Sequence, residues 1–464
     1  MMRHFQGMVH DYLSRGVFLP LMRLQQAIRP ARAPVHRSFR EGMAFRQLSG
    51  QWSEDKKREW VIARLRSIVR RAARETVYYD ELFKRIGFDP NADFSFEEFA
   101  SIPVLSREDV HCAGKTLVAH TIPITQLKRN ATGGSTGVPT EIWIGPEEEG
   151  WGDSGREYFM RQIGLPGGTR LGMLWGHHLD PVASDRVLDR LSAFAHNARW
   201  FDCFRLSPET LERYHETFER FQPAAIVAYA SALGHLAEHI LDRGHTPRYP
   251  SFSIVTGAEK LMPAYREKVE RAFRRPVHER YGSRDVGLIG FQLEPWRTLS
   301  YTIDWANVLV EPETDELNAP VLITKLHADG MPMIRYRIGD DARFTNGSRP
   351  GFPCFLLPEV IGRATDRVWL PNGQWINGIQ LPHLLKDYPV REFMFHQRAD
   401  YSVHVEIVPK SAFTVDNLRT IEGTVSANLP GLKISLDLVD AIRRTKANKW
   451  RPVLTEVCRT KEGA

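Results

Sequence analysis

Beyond residue 100, short apolar runs alternate with amphipathic segments along the chain. The runs at 169–176, 224–231 and 252–259 have the continuous apolar character of buried strands. The segments at 231–244 and 263–275 repeat their apolar residues at helical spacing, and the second begins with a proline, which is favoured in a first helical turn. This alternation predicts an α/β fold.

The pattern becomes richer in strands downstream, with apolar runs at 308–313, 321–326 and 332–340. After Gly362 it restarts as a mixture of strands and one helix, the helix running from about Val415 to Ala427. We therefore predict two domains, a large one over 1–362 and a small α+β domain over 363–464, whose length of about 100 residues is common for a domain.

The amino-terminal region, residues 1–75, is predicted to be mostly helical. Over 54–75, an apolar stripe recurs at helical spacing between many lysines and arginines: Trp60, Ile62, Leu65, Ile68 and Val69. The pattern favours a surface helix packed through this stripe, and weak peripheral binding to a membrane surface is the alternative. We expect no nucleic-acid partner.

Composition narrows the class of protein. The chain has 464 residues, of which 42% are hydrophobic and 25% charged, as in ordinary globular proteins. Its four cysteines lie far apart without a CxxC pair, and no apolar run approaches the roughly 20 residues that span a bilayer. We expect a cytoplasmic protein. The 62 basic and 56 acidic residues give a formal net charge of +6, which suits an anionic ligand without requiring one.

The segment 130–140, NATGGSTGVPT, combines three glycines with small hydroxyl residues. Glycine accepts the backbone angles that point successive N–H groups at an anion, and serine and threonine add hydroxyl donors. A phosphate-binding loop competes here with a plain flexible turn. A hydrolase nucleophile elbow needs a helix after Ser135, whereas Pro139 and a strand-like run follow; a P-loop needs a lysine that is missing.

Taken together, this loop and four other motifs resemble the adenylate-forming enzymes, in their order and rough spacing. The other four are YGSRDVG at 281–287, IRYRIGD at 334–340, GRATD at 362–366 and RRTKANKW at 443–450, with VTGAEKL at 255–261 in support. The chain is most similar to the phenylacetate-CoA ligase group and its CapK-like capsule-biosynthesis relatives, from about residue 50 to the end.

This resemblance implies an α/β protein, α+β overall, with a large domain that binds ATP and a carboxylic acid and a small mobile domain that closes over them. In such enzymes the acid attacks the α-phosphate to give an acyl-adenylate and pyrophosphate, and a thiol, usually that of coenzyme A, displaces AMP. The implied cofactors are ATP, Mg²⁺ and coenzyme A, and the transition state needs charge stabilisation more than covalent help.

The resemblance also assigns residues. The phosphate-binding loop corresponds to Thr132, Gly133, Gly134, Ser135, Thr136 and Gly137. The other nucleotide-binding candidates are Gly257, Ala258, Glu259, Tyr281, Gly282, Ser283, Asp340 and Arg363. Tyr281 matches the ring that stacks on adenine, Asp340 the acid that accepts hydrogen bonds from the ribose, and Arg363 an arginine near the ribose and phosphate.

Three residues match catalytic roles. Lys449 corresponds to the lysine of the mobile domain that approaches the α-phosphate and the attacking carboxylate, with Asp366 at the hinge position. Asp285 replaces the usual glutamate that holds Mg²⁺, and an aspartate still offers oxygen ligands. Thr136 of the loop is the third catalytic candidate.

Taken singly, these residues have simpler interpretations. Asp340 could cap a turn, Asp285 could be a helix N-cap, and Lys449 could belong to a solvated basic tail. Arg335 and Arg337, in an alternating strand, could pair with surface acids. The chain also departs from the family pattern, with Val138 after the loop, Ala447 and Asn448 before the lysine, and a lone Cys354 where many relatives have a cysteine pair.

The acid-binding pocket is predicted at strand ends, where α/β sheets bind ligands. Its candidates are Trp175, His177, Tyr229 and Ser231, a mixed aromatic and polar wall consistent with an aryl or hydroxylated acid. Adjacent His177 and His178 do not have the spacing of metal ligands. The function expected is ATP-dependent activation of a small carboxylic acid with transfer to coenzyme A. Transfer to an amine, a sugar hydroxyl or a carrier thiol, and a non-catalytic nucleotide-binding scaffold, are the alternatives.

Overall fold

The computed structural model describes residues 32–131, 141–175, 197–203, 206–363, 367–371, 375–377, 381–385, 388–443 and 452–457. The helices in these ranges are α1 (Ala33–Ser49), α2 (Glu54–Glu75), α3 (Val77–Ile86), α4 (Phe96–Ala100), α5 (Arg107–Ala113), α6 (Pro146–Gln162), α7 (Pro208–Phe221), α8 (Ala230–Asp242), α9 (Pro263–Phe273), α10 (Leu381–Leu385) and α11 (Val415–Asn428). None of them is long and apolar enough to cross a membrane.

The strands of the first half are β1 (Lys128–Ala131), β2 (Glu141–Ile144), β3 (Leu171–Leu174), β4 (Ala198–Phe201), β5 (Ala225–Tyr229), β6 (Ser253–Gly257), β7 (Val277–Ser283), β8 (Gly287–Phe291), β9 (Tyr301–Ile303) and β10 (Val308–Pro312). Those of the second half are β11 (Asn318–Lys325), β12 (Tyr336–Arg343), β13 (Leu356–Leu357), β14 (Glu359–Arg363), β15 (Arg367–Trp369), β16 (Trp375–Asn377), β17 (Val390–Gln397), β18 (Val403–Pro409), β19 (Ile434–Leu438) and β20 (Val453–Thr455).

An eight-stranded sheet forms the centre, in the order β13-β9-β8-β7-β6-β5-β3-β4. Strands β4, β3, β5, β6 and β7 run parallel, and β8, β9 and β13 continue the sheet with antiparallel pairs. Every residue of β5 and β6 is buried, as expected for parallel strands covered on both faces. The succession β5, α8, β6, α9, β7 confirms the predicted α/β alternation.

A second, antiparallel sheet has the order β10-β11-β12-β14. Its apolar residues share the largest core with α2, whose Val61, Leu65, Ile68 and Val69 are buried. The arginines of α2 are largely ion-paired; Arg58, for example, lies 2.7 Å from Glu54. The predicted surface helix packed through one apolar stripe is therefore confirmed.

The described residues after 367 form a core of their own, in which β17, β18 and β19 pack against α11. Helix α11 lies where the sequence predicted it. Met394, Val408 and Ile442 also join the core around α8, and Glu238 of α8 accepts a hydrogen bond from Lys410. The boundary between 362 and 363 stays a prediction; strand β14 continues through Arg363, which pairs with β12.

Candidate active site

The glycine-rich segment is flanked by two paired strands. Ala131 at the end of β1 lies opposite Glu141 at the start of β2 in an antiparallel pair, so a strand rather than a helix follows. This context excludes the nucleophile elbow. The six loop candidates Thr132, Gly133, Gly134, Ser135, Thr136 and Gly137 lie outside the described residues, as does Val138.

The base of this loop contacts the YGSRDVG motif. The side-chain amide of Asn130, just before the loop, donates a hydrogen bond to the backbone oxygen of Arg284 at 2.8 Å. Arg284 lies in the turn between β7 and β8. Two segments that are 154 residues apart in sequence are therefore joined where the resemblance places the nucleotide phosphates.

Tyr281, Asp340 and Arg363 form a compact polar cluster. Strands β12 and β14 place Asp340 opposite Arg363, whose Nε lies 3.0 Å from Asp340 Oδ1. The Tyr281 hydroxyl donates to Asp340 Oδ2 at 3.1 Å. Asp340 is 8% exposed and lies within a strand, so it does not cap a turn. Each carboxylate oxygen keeps a second lone pair for a further donor.

A second tyrosine–aspartate hydrogen bond joins the same two motifs, with the tyrosine now in IRYRIGD and the aspartate in YGSRDVG. Tyr336, at the start of β12, donates its hydroxyl to Asp285 Oδ2 at 2.8 Å. Arg107 of α5 lies 3.7 Å from the same oxygen. Asp285 sits in the turn between β7 and β8 and does not cap a helix. Each motif therefore supplies one tyrosine to the aspartate of the other, which fixes their relative position.

Both tyrosines remain protonated donors at neutral pH. Burial, together with the neighbouring Asp340 carboxylate, raises the pKa of Tyr281 well above its usual value. Burial and Asp285 act in the same direction on the pKa of Tyr336. A neutral hydroxyl beside a carboxylate donates a charge-assisted hydrogen bond, which is stronger than one between neutral groups.

The two arginines of IRYRIGD have different environments. Arg337 pairs with Glu313 at the surface, as the simpler interpretation expected. For Arg335 that interpretation is wrong: it precedes β12, has a left-handed backbone with φ of 51°, and is buried with its Nε 3.2 Å from Glu311 Oε1. Glu311 is itself fully buried, and a buried carboxylate needs such a partner. Arg335 therefore forms a buried ion pair within the core and not a surface pair.

The VTGAEKL segment leads from β6 towards α9 and contacts two other parts of the site. Glu259 Oε2 accepts a hydrogen bond from the backbone N–H of Ser231, in the first turn of α8, at 3.1 Å. Lys260 donates to the backbone oxygen of Val360 in β14 at 2.7 Å. Ala258, just before these two residues, has a left-handed backbone with φ of 67°. The segment therefore links the predicted acid pocket to the sheet that carries Arg363.

Two of the four predicted pocket residues lie in contact. Trp175 follows β3 and Tyr229 ends β5, and their ring centroids are 4.6 Å apart in an edge-to-face arrangement. Ser231 follows Tyr229 by two residues, in the first turn of α8. His177 and its neighbour His178 lie outside the described residues.

Of four other predicted site residues, the structure describes Gly282 and Ser283 but not Lys449 and Asp366. Gly282 lies so close to β8 that a Cβ at this position would be 2.4 Å from the backbone oxygen of Gly287. Ser283 Oγ accepts a hydrogen bond from the backbone N–H of Asp285 at 3.2 Å. Lys449 and Asp366 lie outside the described residues, as do Ala447 and Asn448. The catalytic assignments of Lys449 and Thr136 stay predictions.

Sequence reasoning missed three residues of this site. Tyr336 lies inside a quoted motif, but nothing in the pattern identifies Asp285 as its partner. Arg107 comes from a distant helix. Arg280 precedes Tyr281 on β7, and its guanidinium lies 4.5 Å from the centre of the Trp175 ring. Alternation along a strand was the available signal for Arg280, because the neighbour of a buried tyrosine faces the other side of the sheet.

Comparison with known proteins gives distant relatives. No protein-family model matches the chain. It is 20% identical over 292 residues to protein CapK of Staphylococcus aureus, a match that covers 62% of this chain and 64% of CapK, less than two thirds of that protein. It is 22% identical over 374 residues to phenylacetate-coenzyme A ligase of Pseudomonas putida, covering 76% and 83%.

Solved structures of a CoA ligase are similar to a larger part of the chain. 2-Hydroxyisobutyryl-CoA ligase, in its postadenylation state with R3-HIB-AMP, superposes with a TM-score of 0.67 at 19% identity, covering 87% of this chain and 90% of that one. Its open conformation with 2-HIB-AMP and CoA gives a TM-score of 0.56. The two curated relatives confirm the resemblance inferred from the motifs, and the chain has the fold of 2-hydroxyisobutyryl-CoA ligase.

Proposed function

We propose that this protein is an AMP-forming ligase that activates a small carboxylic acid with ATP and transfers the acyl group to the thiol of coenzyme A. The observation that carries the proposal is the convergence of Tyr281, Asp340 and Arg363, which the resemblance assigns to the nucleotide and which hydrogen-bond to one another in the fold. The superposition on an acyl-AMP-bound ligase along 87% of the chain supports it.

In the first step, a carboxylate oxygen of the acid attacks the α-phosphorus of ATP, and pyrophosphate leaves. Asp340 would accept hydrogen bonds from the ribose hydroxyls through the lone pairs that Tyr281 and Arg363 leave free. The ribose would then be held against the β12–β14 pair, which sets the position of the α-phosphate. Lys449 would neutralise the charge that builds up on the attacking and phosphoryl oxygens.

In the second step, the thiol of coenzyme A attacks the acyl carbon and displaces AMP. The loop at 132–137 would hold the β- and γ-phosphates during the first step and release pyrophosphate before the second. Glu259, Trp175 and Tyr229 would form the pocket that holds the acyl part in place. ATP, coenzyme A and the acid are thus the proposed partners.

Asp285 is the candidate ligand for Mg²⁺. Its Oδ2 accepts the Tyr336 hydroxyl, while among the described residues none donates a hydrogen bond to Oδ1. One free carboxylate oxygen fits Mg²⁺, which takes its other ligands from phosphates and water. When bound, the ion would supply positive charge to the phosphate oxygens.

Loss of the Asp285 charge is expected to raise the Mg²⁺ concentration for half-maximal activity roughly tenfold, since one unit charge near the ion disappears. Asp285→Asn keeps the shape and an oxygen acceptor for Tyr336, so folding should be retained. Activity measured against Mg²⁺ concentration gives the shift. An unchanged Mg²⁺ dependence would remove Asp285 from the metal.

A panel of acids tests the proposed function itself. With ATP and Mg²⁺ present, pyrophosphate release is expected only when a suitable carboxylic acid is added, because the acid is the nucleophile. Adding coenzyme A, an amine or a sugar separately then identifies the acceptor that consumes the adenylate. ATP binding without acid-dependent pyrophosphate release from any acid would instead favour the non-catalytic scaffold.

A further inference from the structure

A positively charged side chain lies over the aromatic wall of the predicted acid pocket. Arg280 leaves β7, and its guanidinium carbon lies 4.5 Å from the centre of the Trp175 ring beyond the end of β3. The same ring meets Tyr229 edge to face. Strands β7, β6, β5 and β3 are consecutive in the sheet, so the arginine reaches across the carboxyl ends of the strands between them.

Gly257 provides the space for this path. A Cβ at position 257 would lie 2.7 Å from Arg280 Nε and 2.8 Å from its Cγ, closer than side-chain atoms approach one another. The arginine side chain therefore lies directly on the backbone at the end of β6. The guanidinium is positioned by the fold and does not extend freely into solvent.

Arg280 has no carboxylate partner among the described residues. The nearby Arg156 of α6 pairs with Asp153, so that carboxylate is already engaged. Burial and the charge of Arg156 lower the pKa of Arg280 to about 10, whereas a neighbouring carboxylate would raise it. The group is still protonated at neutral pH. Arg280 is only partly buried, and a cation without a carboxylate partner in the described part of the chain can pair with an anionic ligand.

The cation is separate from the nucleotide cluster. Arg280 and Tyr281 are adjacent on a strand, so their side chains face opposite sides of the sheet. Tyr281 meets Asp340 on one side, and Arg280 meets Trp175 on the other. An anion at Arg280 would therefore be a different group from the carboxylate that attacks the α-phosphate.

We propose that Arg280 binds a second anionic group of the acid substrate, so that the preferred substrates are dicarboxylic acids or acids with an equivalent second anion. This inference rests on the proposed function and assigns its substrate class. The guanidinium offers paired N–H donors that match a carboxylate, a sulfonate or a phosphate, and Trp175 lies against the carbon frame.

Matched acids test the proposal through acid-dependent pyrophosphate release. Pentanoate is compared with glutarate, and benzoate with terephthalate and 4-sulfobenzoate, which separates carboxylate from sulfonate recognition. The wild-type protein should favour the dianions. Arg280→Met, which keeps the length and the packing on Trp175, should lower kcat/KM for the dianions roughly 10- to 100-fold and change it for the monoanions much less.

Two controls separate recognition of charge from damage to the fold. Arg297→Met removes one exposed arginine paired with Glu294 and should leave both classes of acid unaffected. Thermal unfolding should show that Arg280→Met is about as stable as wild type, because none of the described carboxylates pairs with this arginine.

Equal losses for monoanions and dianions in Arg280→Met, or a wild-type preference for monoanions, would overturn the inference and leave the ligase function intact. Failure of every acid to release pyrophosphate would refute the ligase function instead. In that case calorimetric titration with glutarate and terephthalate still decides: binding that is lost in Arg280→Met supports an anion site, and equal binding or none in both proteins refutes it.

Discussion

Lys449→Ala is expected to slow acid-dependent pyrophosphate release about 100- to 1000-fold. The resemblance places its ammonium against the α-phosphate and the attacking carboxylate, and removal of one such donor from a transition state has an effect of this size. ATP affinity and stability should change little, because the residue is predicted to lie in the small carboxy-terminal domain and is not part of the cluster of Tyr281, Asp340 and Arg363.

Lys446→Ala is the matched control for this substitution. It removes an equal charge three residues earlier in the same basic segment. If the two variants lose the same amount of activity, the effect comes from the general charge of the segment. If Lys449→Ala adenylates at the parental rate, its assigned role is wrong, and the simpler interpretation of a solvated basic tail is correct.

Asp340→Ala is expected to weaken ATP binding at least about 100-fold. The variant loses two charge-assisted hydrogen bonds to the ribose, each contributing about 1.5–3 kcal/mol, and leaves Arg363 and Tyr281 without their acceptor. Titration calorimetry with a non-hydrolysable ATP analogue measures the change. The kcat at saturating ATP should fall less than the affinity, because the ribose is remote from the reacting atoms.

Asp315→Ala serves as the control, since it removes an exposed carboxylate from the loop between β10 and β11. It should bind the analogue like wild type. Asp340→Asn should give an intermediate loss, because the amide oxygen still accepts hydrogen bonds without a charge. Unchanged affinity in Asp340→Ala would remove this residue from the ribose, and a matching fall in thermal stability would indicate a structural role instead.

Local patterning was sufficient to predict the inner parallel strands of the central sheet and the helix α11. Strands β5 and β6 are apolar on both faces, and α8 and α9 repeat their apolar residues at helical spacing, so the period of each segment reports its structure directly. Helix α11 begins at Val415, as predicted, because Thr414 caps it through a hydrogen bond with Asn417.

The partners of charged residues could not be predicted in this way. Arg335 follows the apolar–polar alternation expected of an exposed strand residue, yet it precedes β12 and is buried against Glu311 of β10. The hydrogen bonds from Tyr281 to Asp340 and from Tyr336 to Asp285 join segments that are more than 50 residues apart in sequence. Only the folded chain brings such groups together, since periodicity reports the face of an element and not what that face meets.

The same limit applies to the acid pocket. The positions of Trp175 and Tyr229 at strand ends predict them as pocket residues. The sequence does not single out Arg280, because an arginine in a strand usually faces solvent. Gly257 explains the exception: it leaves room for a long side chain to lie across the sheet. The charge of the pocket is therefore a property of the assembled fold.

Oxygen-18 labelling tests acyl-adenylate formation most directly. The protein is incubated with ATP, Mg²⁺, coenzyme A and an acid whose carboxylate carries oxygen-18, and the AMP is analysed by mass spectrometry. If the carboxylate attacks the α-phosphorus, one labelled oxygen must leave with AMP and the other must stay in the thioester. AMP without label, formed while the acid is consumed, would contradict an acyl-adenylate intermediate.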